Sequence, residues 1–176
     1  SLAQHEKIKQ LGLKTRVYPA FRPDKALTVN TPPAFNAWLE KLSGTARTTI
    51  SSFEDFLTAL QKRHDAFHAV GGRLSDHGMD NCYAEPCTAT EAKAIFDAAR
   101  AGRAADAGAQ AKFASFLMLE FGRWDARQGW TKQLHLGALR STNTRLLQKL
   151  GPDTGFDSIG DFPQTRALSR YLDTLD

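Results

Sequence analysis

The sequence has no apolar run approaching the ~20 residues that a membrane-crossing helix needs. It has only 2 cysteines, Cys82 and Cys87, in 176 residues. A disulfide framework needs more cysteines, and a zinc site needs further Cys or His at ligand spacing nearby. Two reduced thiols in a cytosolic protein are the expected state. There is also no block of five or six basic residues. The 23 Lys and Arg are interleaved with 19 Asp and Glu, so the net charge of +4 is spread over a mixed surface. That pattern argues against a nucleic-acid partner. No internal repeat and no low-complexity tract is present. Residues 1–9 carry no signal-peptide core and read as the tail of a helix, as in an internal piece of a longer chain.

The remaining composition, 41% hydrophobic and 24% charged, is that of an ordinary globular domain, and one domain accounts for the length. Three short β-like runs are expected near 15–21, 69–75 and 130–136, each followed by helical sequence. Between them, Phe35 to Leu42 and Phe53 to Phe67 repeat apolar residues at three- and four-residue spacing. Ser51 or Ser52 is a natural N-cap for the second of these. Ala92 to Ala101 and Ala109 to Arg127 form another helical pair, with residues 102–108 as the turn and Gly129 as the stop. A last helix is expected from Thr165 to Leu175. Strands separated by long helical stretches need crossover connections, which makes the sheet parallel and the class α/β.

In such architectures functional side chains gather at the carboxyl ends of strands. Each expected strand ends in a polar group that core packing would not select: Arg22, the Asp76-His77 pair and His135. The Arg22 guanidinium offers a planar fork that fits a carboxylate. Its alternative role is a surface ion pair with Asp24. Ser75-Asp76-His77 is no catalytic triad, because adjacent residues on extended backbone point to opposite faces. His77 alone fits a proton donor, a hydrogen-bonding group or a metal ligand, or else a histidine that ties down a loop. His135 sits in an apolar stretch, and Gly137 two residues later allows a loop or ligand to approach closely. His64 and His68, four apart on a helix, have no third ligand beside them and read as solvent-facing. Asp153-Thr154-Gly155 lacks the second aspartate that acid-protease chemistry requires and is set aside.

Two blocks are more distinctive. Residues 129–145 read Gly-Trp-Thr-Lys-Gln-Leu-His-Leu-Gly-Ala-Leu-Arg-Ser-Thr-Asn-Thr-Arg, and residues 150–161 read Leu-Gly-Pro-Asp-Thr-Gly-Phe-Asp-Ser-Ile-Gly-Asp. With Phe21-Arg22-Pro23-Asp24-Lys25 and Gly72-Arg73-Leu74-Ser75-Asp76-His77-Gly78, they resemble the uronate (glucuronate) isomerase family of the amidohydrolase superfamily. The resemblance covers nearly the whole chain in order. It implies a metal-dependent (β/α)8 barrel in the cytoplasm, interconverting D-glucuronate with D-fructuronate and D-galacturonate with D-tagaturonate.

The resemblance further implies that Arg22 and Arg140 bind the substrate, that His135 lies at the mouth near the metal or the sugar hydroxyls, and that His77 is a second catalytic candidate. The cofactor it implies is a divalent metal, zinc, to which His135 is a candidate ligand. The family holds that metal chiefly with a His-X-His pair and a late aspartate, and no His-X-His occurs in this sequence. A barrel of this type takes about 250 residues. The expectation is therefore three consecutive strand–helix units of an incomplete barrel, inactive alone, that self-associates or docks on the remainder of the barrel. A metal-dependent hydrolase of the same superfamily and a binding module without chemistry are the competing readings.

Overall fold

The computed structural model describes residues 2–175. Several of its helices start where a side chain satisfies their first amides. In α3 (Phe53–Ala69), Ser52 accepts the Asp55 amide, and the Asp55 carboxylate accepts the Ser52 amide at 3.0 Å. The same reciprocal cap opens α4 (Ala89–Arg100) with Thr88 and Glu91. Asp106 caps α5 (Ala107–Gln128), and Gly129 ends it in the left-handed region at φ 64°. The earlier helices are α1 (Ala3–Gln10) and α2 (Pro32–Ala46).

The faces these helices share are aromatic. Phe35, Phe53, Phe56, Phe96 and Phe113, from α2 to α5, are all buried, with ring centroids 5.1 to 6.5 Å apart. That spacing suits tilted and edge-on ring contacts, and it makes the four helices one core. The last helix, α7 (Thr165–Leu175), joins through Tyr171, whose hydroxyl donates to the Met118 carbonyl at 3.0 Å.

Against this layer lie two parallel strands, β1 (Leu74–Met79) and β2 (Thr131–Leu136), paired from Leu74–Thr131 to Met79–Leu136. On the far side of β1, Phe21 forms a single parallel bridge to Ser75. Each crossover carries two helices, α2 with α3 and α4 with α5. The fold is thus mixed α/β with parallel strands. After β2 come a short antiparallel pair, β3 (Ala138–Leu139) with β4 (Ser158–Ile159), and the helix α6 (Thr144–Leu150) between them.

Two strand positions differ from the sequence expectation. Of the run at 69–75 only Leu74 and Ser75 are strand: α3 continues through Ala69, and the amides of Gly71 and Gly72 close its end on the His68 and Phe67 carbonyls. Gly71, at φ 102°, makes that reversal, and the strand begins only at Leu74. The run at 15–21 shrinks to Phe21. Pro19 cannot donate to a ladder, and Val17 and Tyr18 are exposed. The third run, near 130–136, matches β2 within one residue.

His64 and His68 also differ from expectation, because α3 turns them towards α5 and β2. His64 is 1% exposed, bonded to Asp125 and stacked 4.0 Å from the Trp130 ring. His68 accepts the Trp130 indole N–H at 2.9 Å.

Candidate active-site mouth

Alternation along the strands sorts the polar residues onto two faces. In β1, Ser75, His77 and Met79 point into the helix layer and are buried, while Leu74, Asp76 and Gly78 face the open side. In β2, Lys132, Leu134 and Leu136 turn inward, whereas Gln133 and His135 share the open face with Asp76. The carboxyl ends of the strands therefore present Asp76, Gly78 and His135 together, joined by Arg22 just past the Phe21 bridge.

Arg22 is half-exposed and held on two sides. Its Nε donates to Asp24 Oδ2 at 3.0 Å, and one terminal nitrogen lies 3.2 Å from Asp76 Oδ2. Arg22 thus combines the alternative role, an ion pair with Asp24, with a place at the strand ends. Asp76 carries a second partner, His135 Nδ1, 2.6 Å from Oδ1. With Asp76 ionised, Nδ1 carries the proton and Nε2 is left as the lone-pair nitrogen towards the opening, 3.4 Å from the Gln133 amide.

Arg140 arrives from the other side, just after β3. Its guanidinium donates to Asp157 Oδ2 at 2.5 Å, and the Ser141 amide donates to Asp157 Oδ1 at 2.9 Å. Asp157 belongs to the distinctive 150–161 block, so one task of that block is to hold Arg140. Pairing of β3 with β4 fixes the loop, and Gly137, at φ 76°, lets the Gly160 backbone close on it.

Arg22 and Arg140 meet over Gly78. A methyl group on Gly78 would collide with Arg22 Nη2 and lie 3.5 Å from Arg140 Nη2. Neither Nη2 has a hydrogen-bond partner among the described residues. Two guanidinium edges converge over bare backbone with Nη2 donors to spare, which suits a carboxylate even though Asp24, Asp76 and Asp157 already pair with the two arginines.

His77 does not reach this mouth. It is fully buried, stacked on Phe121, and its Nδ1 lies 3.1 Å from Asp24 Oδ1. Its place is that of a histidine tying down a loop, the 3-10 turn Asp24–Leu27. Sequence reasoning gives Lys132, Asp125 and Asp157 no role, and Asp24 only that of an ion-pair partner to Arg22. Only Lys132, a charge on the apolar side of a strand, left a signal there.

Burial lowers the His77 pKa from its ordinary 6.5, the bond to Asp24 opposes this, and the Lys132 charge lowers it further. Burial works to raise the Asp24 carboxyl, but the bonds from His77, the Gly78 amide and Arg22 outweigh it and hold it below 3.8. Both shifts act in one direction. Below about pH 6.5 the unfolded chain takes up a proton that folded His77 refuses, so stability falls as pH drops. Asp24 removes more below about pH 4, as pH falls through its lowered value. Denaturant midpoints should therefore decline between about pH 7 and 5.5, and a His77→Gln variant should flatten that decline. A wild-type midpoint constant over this range would contradict the buried neutral imidazole.

Comparison with known proteins covers the whole chain. The glucuronate isomerase family model matches residues 1–176. The uronate isomerase of Opitutus terrae is 82% identical over 100% of this chain, and that of Solibacter usitatus is 54% identical over 99%. Among solved structures, uronate isomerase from Thermotoga maritima superposes with a TM-score of 0.90 at 29% identity, covering 99% of this chain and 39% of that one. Glucuronate isomerase from Caulobacter crescentus gives 0.83 at 28% identity, covering 99% and 36%. The chain spans only 37% and 38% of the two curated relatives. Matched along its whole length, it belongs to the glucuronate isomerase family.

Proposed function

We propose that this chain forms one wall of the active site of a cytoplasmic uronate isomerase, three strand–helix units of a (β/α)8 barrel. Its substrates in this reading are D-glucuronate, converted to D-fructuronate, and D-galacturonate, converted to D-tagaturonate. The observation that carries the reading is the convergence of Arg22 and Arg140 over Gly78, beside the His135–Asp76 pair. A uronate has a carboxylate at one end and the reacting carbonyl at the other, so its site needs an anion cradle and a proton-handling group together.

The isomerisation removes the C2 proton of the aldose and delivers a proton to C1. The C2 hydroxyl loses its proton to become the ketone, and the C1 oxygen gains one. His135 suits the oxygen protons: Asp76 holds Nδ1–H, and Nε2 faces the opening to accept or return a proton at a hydroxyl. Among the described residues no matching base for the carbon stands at the mouth, and in this reading that role falls to the rest of the enzyme.

The family's divalent metal, zinc, does not find its site in these residues. Among the described residues no three His, Cys, Asp or Glu side chains stand together as ligands would. His135 and Asp76 are two donors, already bonded to each other. No step above passes through the metal, whose ligands in this reading come from elsewhere in the enzyme.

Exposed Val17, Tyr18, Leu139 and Ile159 belong against the remaining barrel units. Expressed alone, the segment should self-associate and give no turnover in a coupled glucuronate assay, while a full-length isomerase carrying it turns over. Turnover by the isolated segment at the full-length rate would overturn this division of labour.

Gly78 gives a sharper check. Gly78→Ala forces the flexible end of Arg22 aside without touching the core. Stability should stay within about 1 kcal/mol of wild type, while KM for glucuronate rises about 10-fold. An unchanged KM would remove Arg22 from the cradle.

A further inference from the structure

Behind the mouth, on the helix side of the sheet, runs a row of buried and partly buried polar groups that no step of the reaction uses. It starts at His64 on α3, whose Nε2 lies 3.0 Å from Asp125 Oδ1 on α5. Asp125 Oδ2 accepts the Ser75 hydroxyl at 2.6 Å and the Lys132 ammonium at 2.8 Å. Lys132 Nζ also lies 3.0 Å from His77 Nε2 and 3.4 Å from Ser75 Oγ. His77 Nδ1 reaches Asp24 Oδ1, and Asp24 Oδ2 takes the Gly78 amide at 2.9 Å and Arg22 Nε at 3.0 Å. The row thus ends on the guanidinium of the mouth.

Hydrogen-bond chemistry gives the row a direction. An ammonium has three donors and no acceptor, and here it meets three acceptors: Asp125, His77 and Ser75. His77 must present a lone pair at Nε2, so its proton sits on Nδ1 and is donated to Asp24. An imidazole with its proton on Nε2 would set N–H against the ammonium and a lone pair against the Asp24 carboxylate. The groups facing His77 are Asp24 from the 3-10 turn, Lys132 from β2, and Phe121 with Asp125 from α5. Buried ion pairs are seldom worth more than an apolar replacement of the same volume. A row of six polar side chains, with His64 and Asp125 from helices and Ser75 and Lys132 from strands leading to His77 and Asp24, therefore calls for a role beyond stability.

We infer that Lys132 is a positioning residue for Arg22: it fixes the tautomer of His77, His77 fixes Asp24, and Asp24 aims the guanidinium at the mouth. This rests on Arg22 as the carboxylate anchor, and the test separates the two. In 15N spectra of histidine-labelled full-length isomerase, wild-type His77 is expected as the neutral Nδ1–H form from about pH 8 to 6. Lys132→Met should mix the tautomers and raise KM for glucuronate about 10-fold, with kcat within about 3-fold of wild type. His77→Gln cuts the row one link later and should give the same split, which covers a Lys132→Met protein that does not fold. A wild-type Nε2–H tautomer would overturn the inference, as would altered tautomers with unchanged KM. If Arg22→Met leaves KM unchanged while the tautomer stands as expected, the carboxylate anchor has failed and the relay geometry has not.

Discussion

Arg22→Met in a full-length isomerase carrying this segment is expected to lower kcat/KM for glucuronate by about 100-fold. The figure is about 3 kcal/mol, that of a charge-assisted, two-pronged contact to a carboxylate in a partly buried site. Arg22 has the geometry for such a contact. Its Nε is fixed on Asp24 and one arm sits beside Asp76, which leaves Nη2 over Gly78. The bond to Asp24 comes first among the causes that raise the Arg22 pKa, so its charge is secure at any working pH. Removing the side chain also releases Asp76 to His135 alone, so part of the loss should fall on kcat. D-glucose, which has no carboxylate, is the control: a cradle for the uronate carboxylate predicts that Arg22→Met costs any glucose turnover only the kcat share of the loss, well under about 100-fold. An equal loss on glucose would show that Arg22 serves the reacting carbons instead.

The second large effect is on stability. Asp125 is 2% exposed and holds His64, Ser75 and Lys132 at once. Burial works to raise its carboxyl, but the bonds from His64 and Lys132 outweigh it and hold the group ionised. Asp125→Ala would leave the Lys132 ammonium buried with no counter-charge within 3 Å and would orphan the His64 N–H. Removing one member of a buried pair costs about 3 to 5 kcal/mol. Thermal and denaturant midpoints of the full-length variant should fall accordingly. The double variant Asp125→Ala/Lys132→Met should recover much of that loss, because it removes the stranded charge as well. A single-variant loss below about 1 kcal/mol would mean the pair is solvated rather than buried.

Much of the helical layer was legible because its signals are local. Ser52 and Gly129 mark helix ends within three residues of the groups they satisfy, and the phenylalanine spacing marks the buried face. The strands were harder. Ala69-Val70-Gly71 has β-like composition, yet it completes α3, since the helical face extends to it and Gly71 supplies the reversal. At the mouth, alternation correctly set Asp76 and His77 on opposite faces, but alternation alone cannot say which face is covered by helices. Of the Asp76-His77 pair expected at the strand end, Asp76 faces the mouth and His77 the helices. The partners that organise the site are joined only by the fold: Asp24 to His77 across 53 residues, Lys132 to His77 across 55, and Asp76 to His135 across 59. No local pattern records such pairings.

The most direct test is a structure of the full-length isomerase with D-glucuronate bound. The account predicts the substrate carboxylate above Gly78, within hydrogen-bonding distance of Arg22 and Arg140, with His135 Nε2 turned to the sugar oxygens. A carboxylate bound elsewhere, with Arg22 contacting only Asp24 and Asp76, would contradict it.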